Sequence, residues 1–460
     1  MMFEQPRLTG APQLMPRETA QSYLGRLTGF YVCRTQKEFC KDFGLDVVGI
    51  LYGQRDALQE LAHLTGACLD QLDRWTPKRI DKSRMEIAGN VLSIRDNPRR
   101  QLRLCPLCAK EDATNNPDVP VDLAVYGRCE WMLGIVDVCA SHQVRLVQRR
   151  ANVRCTRESD ITYETSLFLE DLHDLEIEPG ELNAFERYAL GRIGSLPQVY
   201  AELLDPLSLG AVANVCLALG SDILRAGSVF NGSQRQRWEA GFLALNSGHD
   251  GFTRALEKAR GAPRLGVMAS STIPRLMLLL NKRPADLAGF ANTMRPLLAK
   301  VFPYRSDDVL LGRSSSAHYL DTFPRVARKY GVPRGLLVAA VNNVPGLAIE
   351  PWSRPSQALI DVRKASQFFR NKAPYLLSAE VCRIIGSTPT GAIPRVRRWI
   401  KLGLLPLPML DAPVLHFSAE DVRNHLRVLA KSLEAMGETP GWTSIHSLSA
   451  ETGADLESFA

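Results

Sequence analysis

The chain has 460 residues, with 56 Lys and Arg against 49 Asp and Glu for a net charge of +7, and 45% of it is hydrophobic. That apolar share excludes a largely disordered polymer, and at about 100–200 residues per domain the length implies two to four domains. A surplus of this size admits a polyanionic partner without requiring one, so its placement along the chain has to decide.

Met1–Arg7 lacks a basic segment followed by an apolar one, and the longest apolar runs, Leu276–Leu280 and Gly335–Val341, are too short to span a bilayer. A cytoplasmic protein with no membrane partner is therefore expected. In a reducing compartment the ten cysteines point to core thiols, metal ligands or a reactive thiol rather than to a disulfide framework. Apolar residues at three- and four-residue intervals predict helices over 57–75, 182–193, 236–245, 275–281 and 421–433, hence a mainly α, multidomain chain. Short β-branched and apolar runs between Val119 and Val147 predict a small β-rich module near the N-terminus. Breakers and composition shifts divide the chain into 1–160, 161–262, 263–355 and 356–435, with a loose tail over 436–460. No long-period repeat is expected. What recurs is a small residue, three intervening residues and Gly: Ala62 with Gly66, Ala327 with Gly331, and Cys382 with Gly386. That spacing suits a helix-turn-helix, whose first helix needs a small side chain at the crossing and a glycine to turn.

Positive charge sits in two blocks. Between Asp361 and Leu402 nine basic residues face two acidic ones, so this window alone equals the net charge of the chain. The second block, Arg74–Arg157, is offset by Glu158–Glu186, which holds ten acidic residues and no basic one. Within the first, Leu377–Gly386 is read as a short helix with Ser378 as N-cap and Val381, Ile384 and Ile385 as its apolar stripe, a turn follows at 387–389, and a second helix to Leu402 turns Val396 and Trp399 inward and Arg395, Arg397, Arg398 and Lys401 outward. Residues 403–417 would form a wing, and the whole is similar in pattern to the MerR or excisionase type of winged helix. Such a face suits DNA, because each Lys or Arg against a phosphate adds affinity and Arg can read guanine edges. The alternative is a solvated basic face. Residues 327–343, with Lys329 and Arg334, form a second candidate, equally readable as plain core. Residues 62–75 carry Asp70 and Asp73 where phosphates would lie, so they are expected to pack internally or contact protein.

Cys105-Pro106-Leu107-Cys108 is a C-x2-C knuckle, and Cys139 with His142 repeats the spacing thirty residues on. Two such pairs match a closed tetrahedral Zn2+ site, one structural ion with no open position for chemistry. A redox role for the knuckle is disfavoured because no thioredoxin-type helix is expected after it. The remaining histidines show no spacing suggesting a triad, and no phosphate-binding loop is present, so any ATPase must be a separate protein.

Leu104–Cys108, Tyr126-Gly127-Arg128, Trp131, Val138-Cys139, His142 and Leu146 resemble the zinc-binding core of the TniQ/TnsD family of transposon target-selection proteins. Upstream, Pro16–Leu27 resembles that family's opening segment, an acidic residue before a helix ending in Arg-Leu. Many members carry a further cysteine pair, of which only Cys155 remains here, so one zinc is expected rather than two. The resemblance implies a non-catalytic adaptor that binds double-stranded DNA and recruits an AAA+ ATPase of the TniB/TnsC type and then a transposase; it admits a homodimer and both a direct and a guide-RNA route to the target. A transcription regulator with the same parts is the alternative reading, and a zinc hydrolase or nuclease a more remote one.

Overall fold

The structure, a computed structural model, describes residues 8–93, 101–150, 162–163, 177–227, 232–261, 268–282, 285–304, 309–314, 319–349, 354–369, 375–385, 392–408 and 415–435. The chain divides into two compact units, Met1–Ala255 with Ile273–Ala291, and Leu256–Thr272 with Asn292–Ala460.

The first unit opens with five short helices: α1 (Ala20–Phe30), α2 (Gln36–Asp42), α3 (Val47–Leu51), α4 (Arg55–Thr65) and α5 (Leu69–Trp75). Thr19, Thr35 and Asp46 start the first three, each side-chain oxygen accepting from a backbone N–H of the first turn. The single helical stretch expected over 57–75 is two helices, because Gly66 takes φ +77° at the end of α4. As expected, this pair packs inward: Leu58, Leu61, Ala62 and Leu72 join Tyr23, Leu24, Leu27, Phe39 and Ile50 in one core.

Three antiparallel strands follow, β1 (Lys78–Arg79), β2 (Arg84–Ile87) and β3 (Asn90–Ser93), with Met85 opposite Leu92. Next come β4 (Gln101–Leu104), α6 (Pro106–Asn115), α7 (Val121–Ala124) and β5 (Val147–Arg150), where Leu104 pairs with Val147. The strands expected over 119–147 do not form. The segment is α7, a 3-10 turn at Cys129–Met132 and isolated bridges, because Val125, Trp131, Val144 and Leu146 wrap around the knuckle cysteines instead of lining a sheet face.

Helices α8 (Ala184–Ile193), α9 (Leu209–Ala226), α10 (Gln234–Asn246), α11 (Gly248–Arg260), α12 (Ala269–Thr272), α13 (Pro274–Asn281) and α14 (Ala288–Val301) continue the chain. By length and composition α9 could cross a membrane, which the sequence runs did not suggest, but most of it is buried in the first unit. It crosses α10 at two glycines, Gly220 and Gly241, each against the backbone of the other helix. Beside the crossing, Phe185 stacks on Trp238 with ring centroids 5.7 Å apart, and the Trp238 ring N–H donates to the Ala213 carbonyl. Asp222, fully buried on α9, accepts from the N–H groups of Arg275 and Leu276 at the start of α13.

The second unit contains a hairpin, β6 (Val309–Leu310) with β7 (Arg313–Ser314), and then one topology twice. The first module runs β8 (Leu320–Thr322), α15 (Phe323–Tyr330), α16 (Arg334–Asn343), β9 (Ala348–Ile349), β10 (Leu359–Asp361) and α17 (Val362–Phe369), with strand order β8-β10-β9. The second runs β11 (Tyr375–Leu377), α18 (Ser378–Ile384), α19 (Ala392–Lys401), β12 (His416–Ser418) and α20 (Ala419–Ala435), with β11 against β12. Each has its own apolar core. This recurrence corrects the expectation of no long-period repeat: the shared small residue and glycine, Ala327 with Gly331 and Cys382 with Gly386, are the part of it the sequence displays, and the fold adds the rest.

Ser378 is not the N-cap of α18. It is the first helical residue and its hydroxyl donates to the Leu415 carbonyl, while Leu377 holds the cap position and its N–H donates to Glu380 Oε2. The expected turn at 387–389 and the tail over 436–460 lie outside the described residues, as does Cys155.

Candidate metal centre and basic helices

β4 delivers the chain to Cys105, which caps α6, its thiol accepting from the Cys108 N–H at 3.4 Å. Pro106 opens the helix with its fixed φ. A helix therefore does follow the knuckle, contrary to expectation, and one of its turns places Cys108 beside Cys105. From the other side Gln143, at φ +53°, closes a turn in which its N–H donates to the Cys139 carbonyl and the Cys139 N–H to that of Val144. The four side chains converge. Cys108 Sγ lies 3.7 Å from Cys139 Sγ, and His142 Nδ1 lies 3.5, 3.3 and 3.7 Å from the sulfurs of Cys105, Cys108 and Cys139. Four donors around one ion at about 2.0–2.3 Å must stand roughly 3.3–3.8 Å apart, so the set fits a tetrahedral cation of the zinc type. The three cysteines are buried and His142 is half-buried.

The electrostatics agree. Without a cation three thiols this close cannot ionise together: hydrogen bonds from Cys105 and Cys108 hold the Cys139 thiol far below its ordinary value, while sharing with Cys105 and Cys139, together with burial, pushes Cys108 far above it. A divalent cation removes this conflict by taking all three as thiolates, releasing protons on binding. His142 Nε2 lies 2.9 Å from Glu111 Oε1, leaving Nδ1 for the ion, the usual carboxylate–imidazole arrangement behind a metal. Among the described residues no other group of His, Cys, Asp and Glu converges in this way.

The centre is held by two buried devices that composition does not reveal. Arg128 grips Asp112 on α6 with two hydrogen bonds of 2.8 and 2.9 Å and lies over the rings of Tyr126 and Trp131, at 4.0 and 4.8 Å. Glu18, fully buried, pairs with Arg26 at 2.8 Å and accepts from the Ser22 hydroxyl, which in turn accepts from the Gly127 N–H. The Thr19 N–H donates to the Gly127 carbonyl and the Cys129 N–H to that of Arg17, whose φ is +58°. Glu18 and Arg26 of the opening segment thus belong to the wall of the metal module. The spacing of Glu18, Ser22 and Arg26, one and two helical turns apart, was the available signal.

A third support comes from later in the chain. Glu186 on α8 accepts from the Asp137 N–H and pairs with Arg235; the Arg145 N–H donates to the Glu178 carbonyl and the Gly180 N–H to that of Gln143. Arg103, buried on β4, donates to the carbonyls of Leu133 and Val136 and to Asp137. Cys129 is a buried thiol outside the cluster.

In the second unit, Arg397, Arg398 and Lys401 are exposed on α19 and Arg395 is half-buried, while Val396 and Trp399 enter the module's core. Arg383 is exposed on α18. In the first module Lys329 and Arg334 are exposed, flanking the turn at Gly331, whose φ is +61°. The structure brings the four metal-type residues to one point and spreads the basic ones over two separate modules.

Compared with known proteins, residues 10–146 match the TniQ family model, a span that contains Glu18, Arg26, Arg128 and all four converging donors. No curated protein matches the chain.

Proposed function

We propose, from the premise that residues 10–146 are a TniQ domain and place the chain with transposition-associated target-selection proteins, that it is a non-catalytic adaptor. It binds double-stranded DNA and recruits an AAA+ ATPase of the TniB/TnsC type and, through it, a transposase, in the cytoplasm. The family match carries this reading, and the geometry supports its parts. One structural Zn2+ is held by Cys105, Cys108, Cys139 and His142. Four complete N/S donors leave no open position for a bound water, which argues against a hydrolase or nuclease. The module spanning 356–435 finds DNA through Arg383, Arg395, Arg397, Arg398 and Lys401, assisted by Lys329 and Arg334.

The test is reconstitution: the purified chain, with a transposon's own ATPase of this type and DNA, should form a ternary complex in gel filtration and direct insertion in the presence of transposase. An adaptor that binds DNA and alters a promoter but never retains the ATPase would establish the transcription-regulator reading instead. Replacing Arg397 and Arg398 together by Ala should lower the slope of log affinity against log salt by about 2, roughly 0.9 per lost phosphate contact. Cys105→Ser should lose the metal; one equivalent retained by elemental analysis would refute the ligand set.

A further inference from the structure

The two modules of the second unit are copies of one design. Thr322 and Leu377, Val326 and Val381, Ala327 and Cys382, and Gly331 and Gly386 each stand 55 residues apart. Thr322 and Leu377 are both N-caps at the end of a strand, and Val326 and Val381 are both buried core residues. The offset grows by one residue at each later connection: Leu336 and Ala340 correspond to Ala392 and Val396, and Ile360 and Asp361 to Phe417 and Ser418. The strand pairing agrees, since Ile360 faces Asp321 as Phe417 faces Leu376.

Interiors match and surfaces differ. The outer face of α16 carries Arg334 and Asn342, with Arg328 and Lys329 exposed at the end of α15, while Val338 packs against the module's core. The outer face of α19 is Pro394, Arg397, Arg398 and Lys401. Asn pairs with adenine and Arg with guanine, so the two faces are suited to different base edges. Five residues, 370–374, join the modules, a reach of about 20 Å at most.

Building on the DNA-binding reading above, we infer that the second unit engages a bipartite site: two successive major-groove segments of one duplex, the first met by α16 through Arg334 and Asn342, the second met by α19 through Arg397 and Arg398. Two helices on one face of the duplex require half-sites about 10 base pairs apart, and the short connection fixes that spacing. Because the modules are tethered, the second engagement is intramolecular, and uncoupling it costs about a hundredfold in affinity.

The experiment selects DNA for the full chain from a random duplex library and footprints it with hydroxyl radicals. Two protected segments are expected. Arg334→Ala with Asn342→Ala should remove protection from the half met by α16 alone, and Arg397→Ala with Arg398→Ala from the other alone. All four positions are exposed, and an unchanged melting profile serves as the control for folding. Inserting five base pairs between the halves, half a helical turn, should weaken binding about a hundredfold. A single short footprint indifferent to Arg334 and Asn342, or affinity unchanged by the insertion, overturns the bipartite site while leaving DNA binding intact. A chain that selects no DNA overturns both.

Discussion

A methyl group placed at Gly241 should destabilise the first unit, and the crossing of α9 and α10 indicates by how much. A Cβ on Gly241 would stand 2.7 Å from both Cα and the carbonyl carbon of Cys216, with the carbonyl oxygen closer still; a Cβ on Gly220 would stand 2.7 Å from the Arg237 carbonyl carbon and 2.8 Å from the Gly241 nitrogen. All of these obstacles are backbone, which cannot rotate aside, so the helices must part by about an ångström or more. Parting them loosens the stack of Phe185 on Trp238 and the packing of Phe242 against both Phe185 and Tyr188. Overpacking of this kind costs about 3 kcal/mol or more, and the better helix propensity of Ala returns up to about 1 kcal/mol. Gly241→Ala should therefore lose about 2–4 kcal/mol, read as a fall in the urea midpoint of the first unit's transition followed by circular dichroism. Gly335→Ala on α16 is the matched control, because nothing lies within 4 Å of its added Cβ; it should be neutral or stabilising by up to about 1 kcal/mol. A raised midpoint for Gly241→Ala would show that the helices do not cross this closely.

Arg128→Lys keeps the charge but loses the two-pronged grip on Asp112 and the stack over Tyr126 and Trp131. Zinc affinity measured against a chromophoric chelator should fall about 10- to 100-fold; an unchanged affinity would mean that this pair does not hold the knuckle. Burial raises the Asp222 carboxyl above its ordinary value, although the Leu276 amide and Arg225 draw it back. A raised folded value gives stability that is complete below the unfolded value near about 4 and is lost as pH rises through the folded one. Asp222→Asn, which keeps an acceptor for the Arg275 and Leu276 amides, should flatten the decline in stability of the first unit as pH rises from the ordinary carboxylate range towards neutrality. Identical pH profiles would exclude Asp222 as a source of that decline.

The convergence of Cys105, Cys108, Cys139 and His142 was legible because spacing is a local property: two short knuckles bring four side chains within reach of one point. Helices with a polar face, such as α8 and α10, were legible from periodicity. α9 was not, since apolar and small residues fill most of the buried stretch Leu209–Asp222 and leave few polar positions against which a period shows. The strands expected over 119–147 failed for the opposite reason: Val125, Val144 and Leu146 are β-branched or apolar because they enclose the cysteines, and the groups that hold the backbone between them, Arg103, Glu178 and Glu186, reach Leu133, Val136, Asp137 and Arg145 from far away in sequence. The two helix-turn-helix candidates were legible one by one, but not as copies, because buried positions accept any apolar residue of suitable size, so Ile360 and Phe417 occupy one role without resembling each other.

The support that Glu178, Gly180 and Glu186 give to Asp137, Gln143 and Arg145 sets where this chain can be cut. A fragment ending at residue 146 contains every metal donor, yet it strips the Asp137 and Arg145 amides of their acceptors. A fragment that keeps this module intact must run on through α8 to Ile193 and include Arg235 or a substitute for it. The inheritable block is thus longer than the motif that identifies it.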